Sequence, residues 1–146
     1  MDINRLRESI IAHEGIRYKA YADPILGETA MTTGVGHLIL LPQEEELLEK
    51  ELTMDEVMEI LDSDINIAIG GAKKFINLEE HPEVIQETIV SLVFNMGLPR
   101  LRGFKKMKAA LDAKDYVEAS NQLLDSKYAR QLPHRAKDYA EKIRDA

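Results

Sequence analysis

"TAMTTGVGHLILL", residues 29–41, is rich in β-branched and apolar residues, yet its middle gives up packing surface to Thr32, Thr33, Gly34 and Gly36. Glycine inside a strand weakens it, and marks a bulge or a place where another group approaches the backbone. Before this stretch comes the alternating "RYKAYAD" (17–23), with Pro24 and Gly27 as turn residues between the two. The pattern predicts a small antiparallel sheet. On its second strand Thr32, Gly34 and Gly36 share one face, and Met31, Thr33, Val35 and His37 share the other.

Helical patterns surround the sheet on both sides. Asp2 suits an N-cap, and Ile3, Leu6, Ile10 and Ile11 recur at helical spacing. Glu14 lies on the same face as this stripe, and Gly15 suits a helix stop. After the sheet, "TMDE" (53–56) is a capping box, with Thr53 as cap and Glu56 three residues on. The stripe Val57, Ile60, Leu61, Ile65, Ala68 and Phe75 then predicts a long helix over about 54–76, which Gly70-Gly71 should bend or weaken. Pro82 fits the first turn of a helix whose stripe is Ile85, Ile89, Leu92, Val93 and Met96. "MGLPRLRG" (96–103) reads as a loop, and helical patterns resume at 104–113, 115–126 and 133–144. The order of segregated elements predicts an α+β fold, mostly α.

The chain has 146 residues, enough for one core, and no cysteine, so disulfide and thiol chemistry are excluded. No apolar run approaches the roughly 20 residues that a membrane span needs. The N-terminus mixes charge with apolar residues and lacks the core of a signal peptide, which predicts synthesis in the cytoplasm. Net charge is −7, but it is unevenly spread. Residues 1–98 hold 7 Lys and Arg against 19 Asp and Glu; residues 99–146 hold 12 against 7. An acidic chain argues against non-specific nucleic-acid binding, although the basic C-terminal third could still meet an anionic polymer. No metal-ligand cluster or phosphate loop stands out, so no cofactor and no metal are expected.

Three polar residues near the N-terminus are out of place for a purely structural pattern. Glu14 ends an apolar helix face, Asp23 ends a strand at a turn, and Thr32 lies on a glycine-rich strand face. Two carboxylates in different environments are what glycoside hydrolysis needs: one to give a proton to the leaving oxygen, one to stay ionised. Glu14 suits the donor, Asp23 the ionised partner, and the Thr32 hydroxyl could hold a water. Gly34 and Gly36 would then leave room for a sugar ring, and Gly34→Val would block binding while sparing the fold. Each residue alone also has an ordinary reading, as an exposed helix-end glutamate, a turn aspartate or a hairpin glycine.

"HEGIRYKAYAD" followed by "TTGVGH" resembles the signature of phage-type lysozymes, glycoside hydrolase family 24. That signature is Glu-Gly, an Asp nine positions after the Glu, then Thr-x-Gly-x-Gly-His; Glu14-Gly15, Asp23 and Thr32 to His37 match it. "LVFNMG" (92–97) and "PHRAKDY" (133–139) are similar to further family segments, so the resemblance covers nearly the whole chain. It implies a lysozyme-like fold. A β lobe (about 15–53) and a helical lobe (about 77–146 with the N-terminal helix 2–14) would be joined by a long helix, with a cleft between them. It also implies an endo-acting muramidase that cuts the β-1,4 bond between N-acetylmuramic acid and N-acetylglucosamine in peptidoglycan. Glu14 would be the general acid, and Asp23 with Thr32 would position and activate water, with inversion. Leu38, Phe94 and Gln122 match sugar-contacting positions, and Arg135 matches an arginine that contacts the catalytic glutamate.

Asp23 and Thr32 are nine positions apart where six is usual, so "PILGETAM" (24–31) carries a three-residue insertion. A register slip of one would hand the role of Thr32 to Thr33. His37 lies on the face opposite Thr32 and is expected to be structural, paired with an acid on the long helix, Asp64 being the candidate. Asn95 is read either as a cap or bridge for backbone groups or as a sugar contact. The expected partner is the glycan strand of peptidoglycan. Neither nucleic acid nor membrane insertion is expected, and the chain is expected to be a monomer. A separate holin would admit it to the wall from the host cytoplasm, unless it is carried on the particle. A lytic transglycosylase, and a non-catalytic glycan-binding or tail-structural domain of the same fold, are the alternatives.

Overall fold

The first apolar stripe folds as α1 (Ile3–Glu14) and buries Leu6 and Ile10, while Ile3 stays exposed. Gly15 follows with φ +73°, and its N–H donates to the Ile11 carbonyl at 2.7 Å. This left-handed cap stops the helix and leaves Glu14 as its last residue. The computed structural model describes residues 1–23 and 27–146, without the side chains of Glu28 and Thr29. Pro24 and most of the turn expected around it lie outside the described residues.

The sheet is antiparallel with order β1-β2-β3, where β1 is Arg17–Asp23, β2 is Gly27–Gly34 and β3 is His37–Leu38. Residues 29–41 are thus a hairpin rather than one strand. Gly34 and Gly36 both have φ +63° and flank the buried Val35 in the turn. The expected alternation holds through Thr33 and stops there. Across the hairpin Thr32 faces Leu38 and Thr33 faces His37, so His37 does lie on the face opposite Thr32.

The capping box forms as read. The Thr53 N–H donates to Glu56 Oε1 at 3.1 Å, and the Glu56 N–H donates to Thr53 Oγ1 at 3.2 Å. It opens α2 (Met54–Phe75), whose Val57, Leu61, Ile65, Ala68, Ala72 and Phe75 are all buried. Gly70-Gly71 does not interrupt this helix. A Cβ on Gly71 would stand 2.8 Å from Val93 Cγ1, so the missing side chain lets a neighbouring helix approach.

Pro82 precedes α3 (Glu83–Met96), which buries Ile85, Ile89, Leu92 and Val93 as its stripe predicts. The 96–103 stretch read as a loop holds a single helical turn, α4 (Leu98–Leu101), with Pro99 at its start. The three C-terminal patterns become α5 (Lys105–Asp112), α6 (Tyr116–Leu124) and α8 (Pro133–Arg144). Between the last two lies α7 (Lys127–Gln131), capped by Ser126 Oγ, which accepts from the Ala129 N–H at 3.1 Å. Small residues let α6 and α8 meet closely: Ala119, Ala136 and Ala140 are almost fully buried, and the Ser120 hydroxyl donates to the Ala140 carbonyl at 2.7 Å.

The fold is α+β and lysozyme-like. Its contacts divide the chain into two compact units, residues 4–66 and residues 1–3 with 67–146. α1, expected with the helical lobe, groups from residue 4 onward with the sheet, and the boundary falls inside α2. No helix among the described residues is long and apolar enough to cross a membrane.

Candidate active site

Glu14 lies where α1 ends, and Gly36 lies in the hairpin turn. A Cβ built on Gly36 would come within 2.8 Å of Glu14 Oε2, 3.0 Å of Cδ and 3.2 Å of Cγ. The outer length of the glutamate side chain therefore lies directly on the Gly36 backbone. This answers the question raised by the glycines, and corrects the expectation that both clear space for a sugar ring. What approaches Gly36 is the candidate acid itself. Gly34 is buried, with Leu52 Cδ1 and Val57 Cγ1 at 3.8 and 3.9 Å from its missing Cβ. With φ +63° and apolar side chains around it, Gly34→Val would strain the turn, so it would not spare the fold.

Asp23 ends β1, is half-buried, and pairs in register with Gly27. The pairing is irregular on either side of the Tyr21–Ala22 step, between Arg17 and Tyr21 and between Ala22 and Asp23. Thr32 stands opposite Tyr21, and its hydroxyl points to the Tyr21 carbonyl at a long 3.4 Å. Leu38, its neighbour on β3, is 48% exposed. Thr33 is fully buried, and its hydroxyl has no hydrogen-bond partner among the described residues. Glu14, Asp23, Thr32 and Leu38 all belong to the sheet-bearing unit.

His37 is tied at both ring nitrogens. Nδ1 lies 2.7 Å from Asp64 Oδ2, the partner expected from the sequence. Nε2 lies 2.9 and 3.1 Å from the two oxygens of Glu44, which sequence reading missed. Glu44 also accepts the Leu40 N–H at 2.9 Å, closing the segment after β3. The hydrogen bond to Asp64 raises the His37 pKa from 6.5 to about 9, against burial and with help from Glu44. Burial pushes the Glu44 carboxyl up, but the Leu40 N–H and His37 outweigh it, leaving it below its ordinary value. The imidazole is therefore a charged strut between two carboxylates at neutral pH.

The remaining candidates sit in the helical unit. Phe94 is half-buried on α3 and Arg135 half-buried on α8. Asn95 accepts a 2.6 Å hydrogen bond from the Tyr128 hydroxyl, which engages it structurally. Gln122 on α6 donates to Glu118 Oε1 at 2.7 Å and lines a groove of about 480 Å³. Among the described residues no group of three or more His, Asp or Glu could hold a metal ion.

The chain matches the phage lysozyme family over residues 11–137, and it belongs to that family. The matched span starts within α1, three residues before Glu14, and ends within α8 after Arg135. It contains all seven candidate residues, and glycoside hydrolase family 24 is consistent with it. The family carries a lysozyme type of function and implies peptidoglycan as the substrate.

Proposed function

We propose that this protein is an endolysin-type muramidase, which hydrolyses the β-1,4 bond between N-acetylmuramic acid and N-acetylglucosamine with inversion. Glu14 gives its proton to the glycosidic oxygen as the bond to the anomeric carbon breaks. Asp23 and Thr32 hold a water on the opposite face of the sugar. The water oxygen bonds to the anomeric carbon and Asp23 takes the released proton. One water is consumed, and one reducing end and one free 4-hydroxyl result. Inversion leaves room for that water between the carboxyl groups, roughly 6.5–9.5 Å in such enzymes.

The observation that carries this reading is the packing of the Glu14 side chain along Gly36, inside the Thr-x-Gly-x-Gly-His motif. An acid supported along its length by bare backbone keeps one orientation, which is what proton donation to a fixed oxygen requires. Thr32 suits the water better than Thr33. Its hydroxyl hydrogen is directed at the Tyr21 carbonyl, which leaves its lone pairs to accept from a water; Thr32 is 5% exposed, and Thr33 is fully buried. Leu38 offers an exposed apolar contact beside Thr32. The family resemblance gives Phe94 and Gln122 as further sugar-contacting positions, and Arg135 as the position that contacts the catalytic glutamate. The enzyme acts as a monomer made in the host cytoplasm, reaches the wall through a separate holin, and lyses the host. Its detection in purified particles would instead make it particle-borne.

Digestion of purified peptidoglycan, with the new ends followed by NMR, tests the chemistry. The expected result is reducing N-acetylmuramic acid ends that appear first as the α anomer. Anhydro ends would make it a lytic transglycosylase. Binding without cleavage would make it a glycan-binding domain.

A further inference from the structure

The ladder between β2 and β3 runs one residue past β3. Thr32 faces Leu38 and Thr33 faces His37, and the Ile39 N–H then donates to the Met31 carbonyl at 2.9 Å. Alternation along this edge sets Leu38 and Leu40 on the side of Thr32, and Ile39 on the other. Burial agrees: Ile39 is in the core, while Leu38 is 48% and Leu40 54% exposed. Leu40 is nonetheless held fast. Its N–H donates to Glu44 Oε1 at 2.9 Å, and its carbonyl accepts the Glu44 N–H at 2.6 Å. The same carboxylate meets His37 Nε2, and the other ring nitrogen meets Asp64 on α2. An exposed leucine is thus gripped at both backbone groups and tied to a helix through Glu44, His37 and Asp64. All of these residues belong to the sheet-bearing unit.

A solvent-facing leucine that only completes a turn needs no such anchorage. A ligand contact gains from it, because a side chain already fixed in place loses little freedom when the ligand arrives. Position argues for the ligand. Leu40 continues the row of Thr32 and Leu38, which the proposed function turns toward the glycan strand. Sugar rings and acetamido methyl groups offer apolar patches to such a surface. We infer that Leu40 is a further contact for the glycan strand beside Leu38, and that Glu44 is the residue that positions it. The identity of the ligand rests on the function proposed above; the rigid presentation of Leu40 does not. Leu41 supplies a control. It is more exposed, at 59%, yet among the described residues it stands outside both the ladder and the bonds of Glu44.

The test is calorimetric binding of a soluble hexasaccharide of alternating N-acetylglucosamine and N-acetylmuramic acid. Glu14→Gln serves as the parent, so that the ligand stays whole, and thermal midpoints check the fold of every variant. Leu40→Ala should weaken binding about five- to tenfold, the scale of a leucine side chain losing part of an apolar contact. Leu41→Ala should stay within about twofold, as a scattered surface leucine does. Glu44→Ala should lose as much as Leu40→Ala, and the double variant no more than either, because the two act as one. Glu44→Gln, whose amide oxygen still accepts the Leu40 N–H, should recover most of the loss. With Glu14 restored, Leu40→Ala should raise KM and leave kcat unchanged. Unchanged affinity in a folded Leu40→Ala, an equal loss in Leu41→Ala, or a change of oligomeric state in place of affinity would overturn the contact. Additive losses in the double variant would overturn positioning by Glu44. If wild type cleaves nothing but binding keeps its dependence on Leu40, the proposed hydrolysis fails and the contact stands. If wild type cleaves and Leu40→Ala matches it in KM, the contact fails alone. No binding by the folded parent would overturn the contact as well.

Discussion

A single methyl group at position 36 would collide with the Glu14 carboxyl, at 2.8 Å from one of its oxygens. The side chain can swing away, but then the acid leaves its place. Gly36→Ala should therefore lower hydrolysis by about 10²-fold, as small misplacements of catalytic groups do. It should cost only about 1 kcal/mol of stability for an alanine held at positive φ. Gly34→Ala is the control. It carries the same φ of +63°, but its missing Cβ has only Leu52 and Val57 at ordinary contact distance. It should lose similar stability with little change in rate. Thermal midpoints and rates on the same preparations separate the two. The sequence named both glycines and the acid. It could not tell which glycine the acid rests on, because that depends on how tightly the hairpin turns after Thr33.

Between elements, the His37 strut ties β3 to α2 through Asp64 and to the following segment through Glu44. The folded pKa of His37, about 9, lies above its ordinary 6.5. The charged imidazole therefore adds stability that is fully present below pH 6.5 and is lost as pH rises through about 9. His37→Asn should cost about 2 kcal/mol at pH 6 and much less at pH 10, with hydrolysis changed less than stability. Denaturant unfolding at the two pH values checks the sign. Glu44 works the other way. Its lowered pKa makes its share vanish as pH falls below the ordinary carboxylate range.

The capping box is a local device and was legible for that reason: Thr53 and Glu56 satisfy each other's backbone without help from distant residues. Thr53→Ala should destabilise by about 1 kcal/mol in the same unfolding assay. Asp64 could be guessed because the apolar stripe of α2 sets which way its other faces point. Glu44 could not, since it sits in an acidic run where no pattern singles out one carboxylate. α4 and α7 escaped for a related reason, being too short to show a helical period. Ser126 three residues before Ala129 was the cap signal that α7 did offer.

At the scale of the whole chain, membership of the phage lysozyme family covers residues 11–137 and so both compact units. The α+β class followed from element order; the candidate acid, aspartate and threonine were singled out by their places at a helix end, a turn and a glycine-rich strand, and their roles came from the family resemblance. The division of contacts did not follow. Packing joins α1 to the sheet from residue 4, where the family resemblance had implied the helical lobe. Charge is divided as well, with the acidic excess before residue 99 and the basic excess after it. The most direct test of the proposed chemistry is clearance of purified peptidoglycan by wild type and by Glu14→Gln, with thermal midpoints measured alongside. Wild type should clear the substrate and leave reducing ends. Glu14→Gln should lose about 10²–10⁴-fold in rate while remaining folded, as expected when a general acid is removed. Equal activity in a folded Glu14→Gln would contradict the assignment of Glu14 as the acid.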